Sequence, residues 1–113
     1  MAYFDAPDES VWIGFLRLQL HFPLARSKKD KRKQIHKLRD RFRSRYNLSI
    51  AEVGYLENPK RSVLGAVMIS NEQSLLYSSL QSRSLEAQSL IDGLIESSDI
   101  QIQRPTNQFP PSY

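Results

Sequence analysis

An α+β domain with the order strand–helix–strand–strand–helix–strand is what this 113-residue sequence predicts. Three observations carry that expectation. Period-two alternation through Trp12–Phe22 describes a strand with one strongly buried face. Two later segments repeat apolar residues at helical spacing, each after a serine-led cap signal. A turn signal, Asn58-Pro59-Lys60, separates two further β-like runs. Two strand–helix–strand units with right-handed crossovers then give a four-stranded antiparallel sheet with both helices on one face, the ferredoxin-like arrangement.

The first strand places Trp12, Gly14, Leu16, Leu18, Leu20 and Phe22 on its buried side and Ile13, Phe15, Arg17, Gln19 and His21 on the other. Pro23 ends it, having no N–H for a sheet ladder. Ser27-Lys28-Lys29-Asp30 has capping-box form, so a helix is expected over about 28–45, with Asn47 as a left-handed stop. Its apolar stripe is Ile35, Leu38, Phe42 and Tyr46. Leu48–Leu56 reads as the second strand and Ser62–Ile69 as the third. The third is apolar on both sides, with Val63, Val67 and Ile69 on one and Leu64, Ala66 and Met68 on the other, as in a central strand. Ser70 to Gln73 offers a second cap. The helix after it would use Leu75, Leu76, Leu80, Leu85 or Ala87, Leu90, Ile91 and Leu94, with Gly93 marking its end. Asp99–Arg104 forms a short last strand around Ile100 and Ile102.

The domain therefore spans residues 11–104. A mobile acidic lead-in precedes it at 1–10, and a Pro-rich tail follows at 105–113. The open sheet face would show Phe15 and Arg17 beside Leu64 and Met68. An apolar open face is normally hidden, so these four residues are expected to join copies of the chain, as a homodimer.

Composition removes several functions. Without cysteine there is no disulfide scaffold, cysteine zinc site, iron–sulfur cluster or thiol nucleophile. The longest apolar stretch, Val63–Ile69, is too short to cross a bilayer, and the start carries Asp5, Asp8 and Glu9 rather than a secretory signal. A cytoplasmic protein is expected. The four glycines are too scattered for a phosphate-cradling loop, and His21 and His36 lack metal-site spacing, so neither cofactor nor metal is expected. Ser27, Asp30 and Lys31 could be cast as catalytic, but the capping box explains Ser27 and Asp30 more simply. Arg26, Lys28 and Lys29 at the helix start could hold one anion; phosphatase chemistry there would need a glycine-rich loop that the sequence lacks. The third strand has no aromatic residue for stacking bases.

Charge is the strongest functional signal. Arg26 to Arg45 holds 11 of the 16 basic residues against Asp30 and Asp40, a net +9, while the rest of the chain carries −5. The repeats Lys29–Lys33, Lys33–Lys37 and Lys37–Arg41 set like charges one turn apart, a repulsion of a few tenths of a kcal/mol each that acids would relieve.

Gly14-Phe15-Leu16-Arg17-Leu18-Gln19-Leu20, then Lys29-Asp30-Lys31-Arg32, Arg45-Tyr46-Asn47-Leu48-Ser49 and Ala51-Glu52-Val53-Gly54 resemble the YlxP-like family of small bacterial proteins. Its members typically read Ser-Leu-Lys-Asp-Lys-Arg and later Val-Ala-Glu-Val. The resemblance covers roughly residues 12–95. Lys28 stands where the family has leucine, so its side chain is expected to point to solvent. The resemblance implies a ferredoxin-like fold, homo-oligomers and no assigned activity. The family's genes often lie near those for translation initiation and ribosome maturation, an association that hints at RNA.

Together these features point to a non-enzymatic module that binds RNA or a ribosomal particle through Arg26, Lys28, Lys29, Arg32, Lys33, Lys37 and Arg43. The alternative is a homo-oligomeric protein-interaction or assembly subunit with no nucleic-acid role. A small phosphate-ester enzyme using Arg26 is a third reading.

Overall fold

The computed structural model describes residues 8–105. Its elements are β1 (Trp12–His21), α1 (Lys28–Tyr46), β2 (Ser49–Gly54), β3 (Arg61–Ser70), α2 (Gln73–Leu90) and β4 (Leu94–Gln103). The sheet order is β2-β3-β1-β4 with every neighbour antiparallel, so the ferredoxin-like fold is the one adopted. Residues 1–7 of the acidic lead-in and 106–113 of the Pro-rich tail lie outside the described residues.

The alternation of β1 is realised as read. Leu16, Leu18, Leu20 and, just past the strand, Phe22 are buried, and they meet Ile35, Leu38 and Phe42 of α1 and Leu80 and Ala87 of α2 in one core. Each fully buried leucine or phenylalanine contributes about 1.5–3 kcal/mol. The pairing of β1 with β3 sets Leu18 opposite Leu64 and Leu16 opposite Ala66. Directly opposed residues of antiparallel strands share a face.

That register corrects the reading of β3. Leu64 and Met68, expected on the open face, lie on the helix-covered face, where Leu64 is 1% exposed and Met68 packs against the core. Val63, Val67 and Ile69 take the open face, opposite Gln19, Phe15 and Ile13. Phe15 and Arg17 stay on the open face, both half-buried; Arg17 lies 3.7 Å from Asp99 of β4.

α1 begins at the predicted cap. Ser27 Oγ accepts from the Asp30 N–H at 3.2 Å. The Asp30 carboxylate reaches back one residue further than a standard box, accepting from the Arg26 N–H at 2.9 Å. Asn47 ends the helix in the left-handed region, φ 53°. α2 starts differently from the expectation: Glu72 is its N-cap without a side-chain bond, and Ser70 Oγ accepts from the Glu72 N–H instead. Its buried residues are Leu76, Leu80 and Ala87, whereas Leu75 and Leu85 are exposed. β4 is longer than predicted because Gly93 already enters the turn and Leu94 begins the strand. A β-carbon at Gly93 would sit 2.6 Å from the His21 carbonyl oxygen, so only glycine lets the chain pass there.

Candidate nucleic-acid interface

α1 lies on the sheet through four buried positions, Lys31, Ile35, Leu38 and Phe42. Advancing about 100° per residue from that stripe places Arg32, Arg43, His36, Lys29, Lys33 and Lys37 on the opposite side, over roughly 140° of arc. All six are exposed. From Lys29 to Arg43 the row extends about 21 Å along the axis. Asp40 lies within the arc and is 3.9 Å from Arg39.

Of the residues predicted to bind polyanions, Lys29, Arg32, Lys33, Lys37 and Arg43 are exposed and make no ion pair among the described residues. Arg26 is exposed on the loop just before the helix. Lys28 differs: its Nζ sits 2.5 Å from Glu57 Oε2 in the β2–β3 loop instead of adding free charge. The Lys28 hydrogen bond, then its charge, holds the exposed Glu57 carboxyl below its ordinary value, with Arg32 and Lys31 adding to the effect.

The loop that leads into the helix spends its own N–H groups internally. The Arg26 N–H is taken by Asp30, the Ala25 N–H donates to the Phe22 carbonyl at 3.1 Å, and the Phe22 N–H donates to the Lys60 carbonyl at 2.7 Å. An adjoining cavity of about 200 Å³ is lined by Asp30 and Asp92 among others, the wrong sign for phosphate. The cationic surface is therefore the outward helix arc.

Toward α2 the helix joins a cluster of ionic and aromatic contacts. Arg83 stacks over the Tyr46 ring at 3.5 Å, the Tyr46 hydroxyl donates to Glu86 at 2.8 Å, and Arg41 lies 4.0 Å from Glu86. Among the described residues no cluster of His, Asp or Glu could hold a metal, and no helix is long and apolar enough to cross a membrane.

Lys31, counted in the +9 segment but not among the binding residues, is internal. It is 1% exposed, and its Nζ donates to the carbonyls of Tyr55 at 2.8 Å and Arg61 at 3.1 Å while pairing with Glu52 Oε2 at 2.9 Å. Ser62 Oγ donates to the same carboxylate oxygen at 2.7 Å. The two carbonyls take ammonium protons, and the Glu52 carboxylate supplies the counter-charge that a buried lysine needs. The signal was present: Lys31 precedes Ile35 by four residues and so extends the apolar stripe, and Glu52 follows inward-facing Ile50 by two.

No curated protein matches the chain by sequence. Among solved structures, the de novo designed protein Foldit4 is 10% identical at a TM-score of 0.47, covering 88% of this chain and 100% of its own. The de novo designed Ferredog-Diesel is 8% identical at 0.45, covering 89% of this chain and 92% of its own. Residues 13–97 match the family described as protein of unknown function (DUF503), and with about three-quarters of its length inside that match, the chain belongs to this family.

Proposed function

We propose that the chain is a non-enzymatic, YlxP-like binding module that associates with structured RNA or a ribosomal particle in the cytoplasm. The carrying observation is the outward arc of α1: Lys29, Arg32, Lys33, Lys37 and Arg43 are exposed and without ion pairs among the described residues. Lysines one turn apart repel, and a face kept only for solubility would interleave acids. Phosphates spaced along a polyanion relieve that repulsion and release counterions. Contacts of this kind supply affinity and position without reading sequence.

The test is affinity for a structured RNA across a salt series. Neutralising about four to six phosphates gives a log–log slope of about −3 to −5. Replacing Lys29, Lys33 and Lys37 with glutamate abolishes binding and leaves the circular dichroism spectrum unchanged. No binding at low salt, or affinity indifferent to salt, overturns the reading.

The open sheet face favours a second reading, an assembly subunit. Val53, Val67 and Ile69 are exposed there beside half-buried Phe15. Sedimentation after nuclease treatment separates the two: association that persists without RNA supports assembly, and a monomer removes it.

A further inference from the structure

The β2–β3 loop, tied to the first turns of α1 through Lys28 and Lys31, carries an exposed aromatic residue. Tyr55 is 48% exposed although it is a large ring in an otherwise ordered hairpin. Its backbone has φ 56°, in the left-handed region that bulky residues rarely occupy. Such a conformation persists only where the surroundings over-determine it, and it recurs at binding sites.

Here the surroundings do so. The Tyr55 carbonyl accepts from buried Lys31 Nζ at 2.8 Å and from the Asn58 N–H at 3.1 Å. Asn58 Oδ1 accepts from the N–H groups of Lys60 and Arg61 at 2.8 and 3.0 Å. Lys60 Nζ donates across to the Pro23 and Ala25 carbonyls at 2.7 and 2.8 Å. Glu57, two residues after Tyr55, is tied to Lys28, which lies one turn before Arg32 of the cationic arc. The loop is thus held rigid against the end of α1 from which the arc departs, with an aromatic residue left exposed on it.

We propose that Tyr55 is a stacking platform for an unpaired nucleobase, so that the ligand of the basic helix is RNA carrying single-stranded nucleotides beside its helical part. The proposal rests on the nucleic-acid reading above and names its substrate class. In a duplex the base faces are occupied by their neighbours; a bulged, looped or overhanging base offers a free face to an exposed ring. Stacking of this kind tolerates any base, in keeping with phosphate contacts that carry no sequence information. A loop that is rigid before binding avoids the entropic cost of ordering the ring.

Two RNA probes with equal numbers of phosphates test it, one a blunt hairpin and one a hairpin with a single-stranded overhang. The wild-type chain is expected to bind the overhang probe more tightly. Tyr55→Ala weakens that probe on the order of tenfold and leaves the blunt one unchanged, while Tyr55→Phe binds like wild type. The salt slope stays the same in all variants, since no charge is altered. Tyr55→Gly, which relaxes the left-handed backbone while removing the ring, repeats the selective loss if the alanine variant fails to fold. Equal binding of both probes by wild type, or an equal effect of ring removal on both, overturns the stacking role while the cationic reading stands. Failure of wild type to bind either probe overturns both.

Discussion

Replacing Lys31 with methionine tests the internal charge network that organises the helix start. Methionine keeps an unbranched apolar stem in a site where Lys31 is 1% exposed, so the change removes the ammonium with little change of shape. Glu52 then keeps only the Ser62 hydroxyl, and the Tyr55 and Arg61 carbonyls lose their shared donor. Removing one partner of a buried pair costs about 3–5 kcal/mol. The Glu52 side chain is 18% exposed, so water restores part of the loss and the lower end, about 3 kcal/mol, is expected. In a domain of this size about 1 kcal/mol moves Tm by roughly 4–8 °C, so Lys31→Met should melt roughly 12–24 °C lower. Urea and thermal denaturation followed by far-ultraviolet circular dichroism measure this on wild type, Lys31→Met, Glu52→Gln and the double variant. Because the two groups share one contact, the double variant should lose less than the sum of the singles. A Lys31→Met chain within about 0.5 kcal/mol of wild type, the range of ordinary surface substitutions, would refute the buried-pair argument.

Two further perturbations separate surface electrostatics from backbone packing. The Glu57 carboxyl, held low chiefly by Lys28, should titrate by NMR below its ordinary value in wild type and return toward it in Lys28→Ala. The sign follows from linkage: a depressed carboxylate stabilises the fold above its unfolded pKa, and that contribution is lost as pH falls through the lowered folded value. Gly93→Ala would bring its β-carbon to 2.6 Å from the His21 carbonyl oxygen, whereas Gly14→Ala meets the side-chain tip of buried Leu80 at the same distance. Gly93→Ala is therefore expected to lower the urea midpoint more, because backbone yields less readily than a side-chain tip; equal midpoints would contradict it.

Much of the basic surface was legible from residue spacing. Lys29, Lys33 and Lys37 recur at four-residue intervals opposite Ile35, Leu38 and Phe42, and that geometry depends only on the helical repeat. The fates of Lys28 and Lys31 were harder to read because their partners are distant in sequence: Glu57 lies 29 residues from Lys28, and Tyr55 lies 24 from Lys31. Tyr55 gave no local sign of its left-handed backbone, since that conformation is imposed by hydrogen bonds from α1 and from the loop itself.

Local pattern determined which segments became strands and helices. Alternation in β1, the Ser27 cap and the Asn47 stop each act within a few residues and need no knowledge of the rest of the chain. The tertiary structure decided which side of β3 faced the helices. That strand is apolar on both sides, so its own sequence carries no preference. Pairing Leu18 with Leu64 and Phe15 with Val67 settled the choice, because a shift of one residue in register sends every side chain to the opposite face.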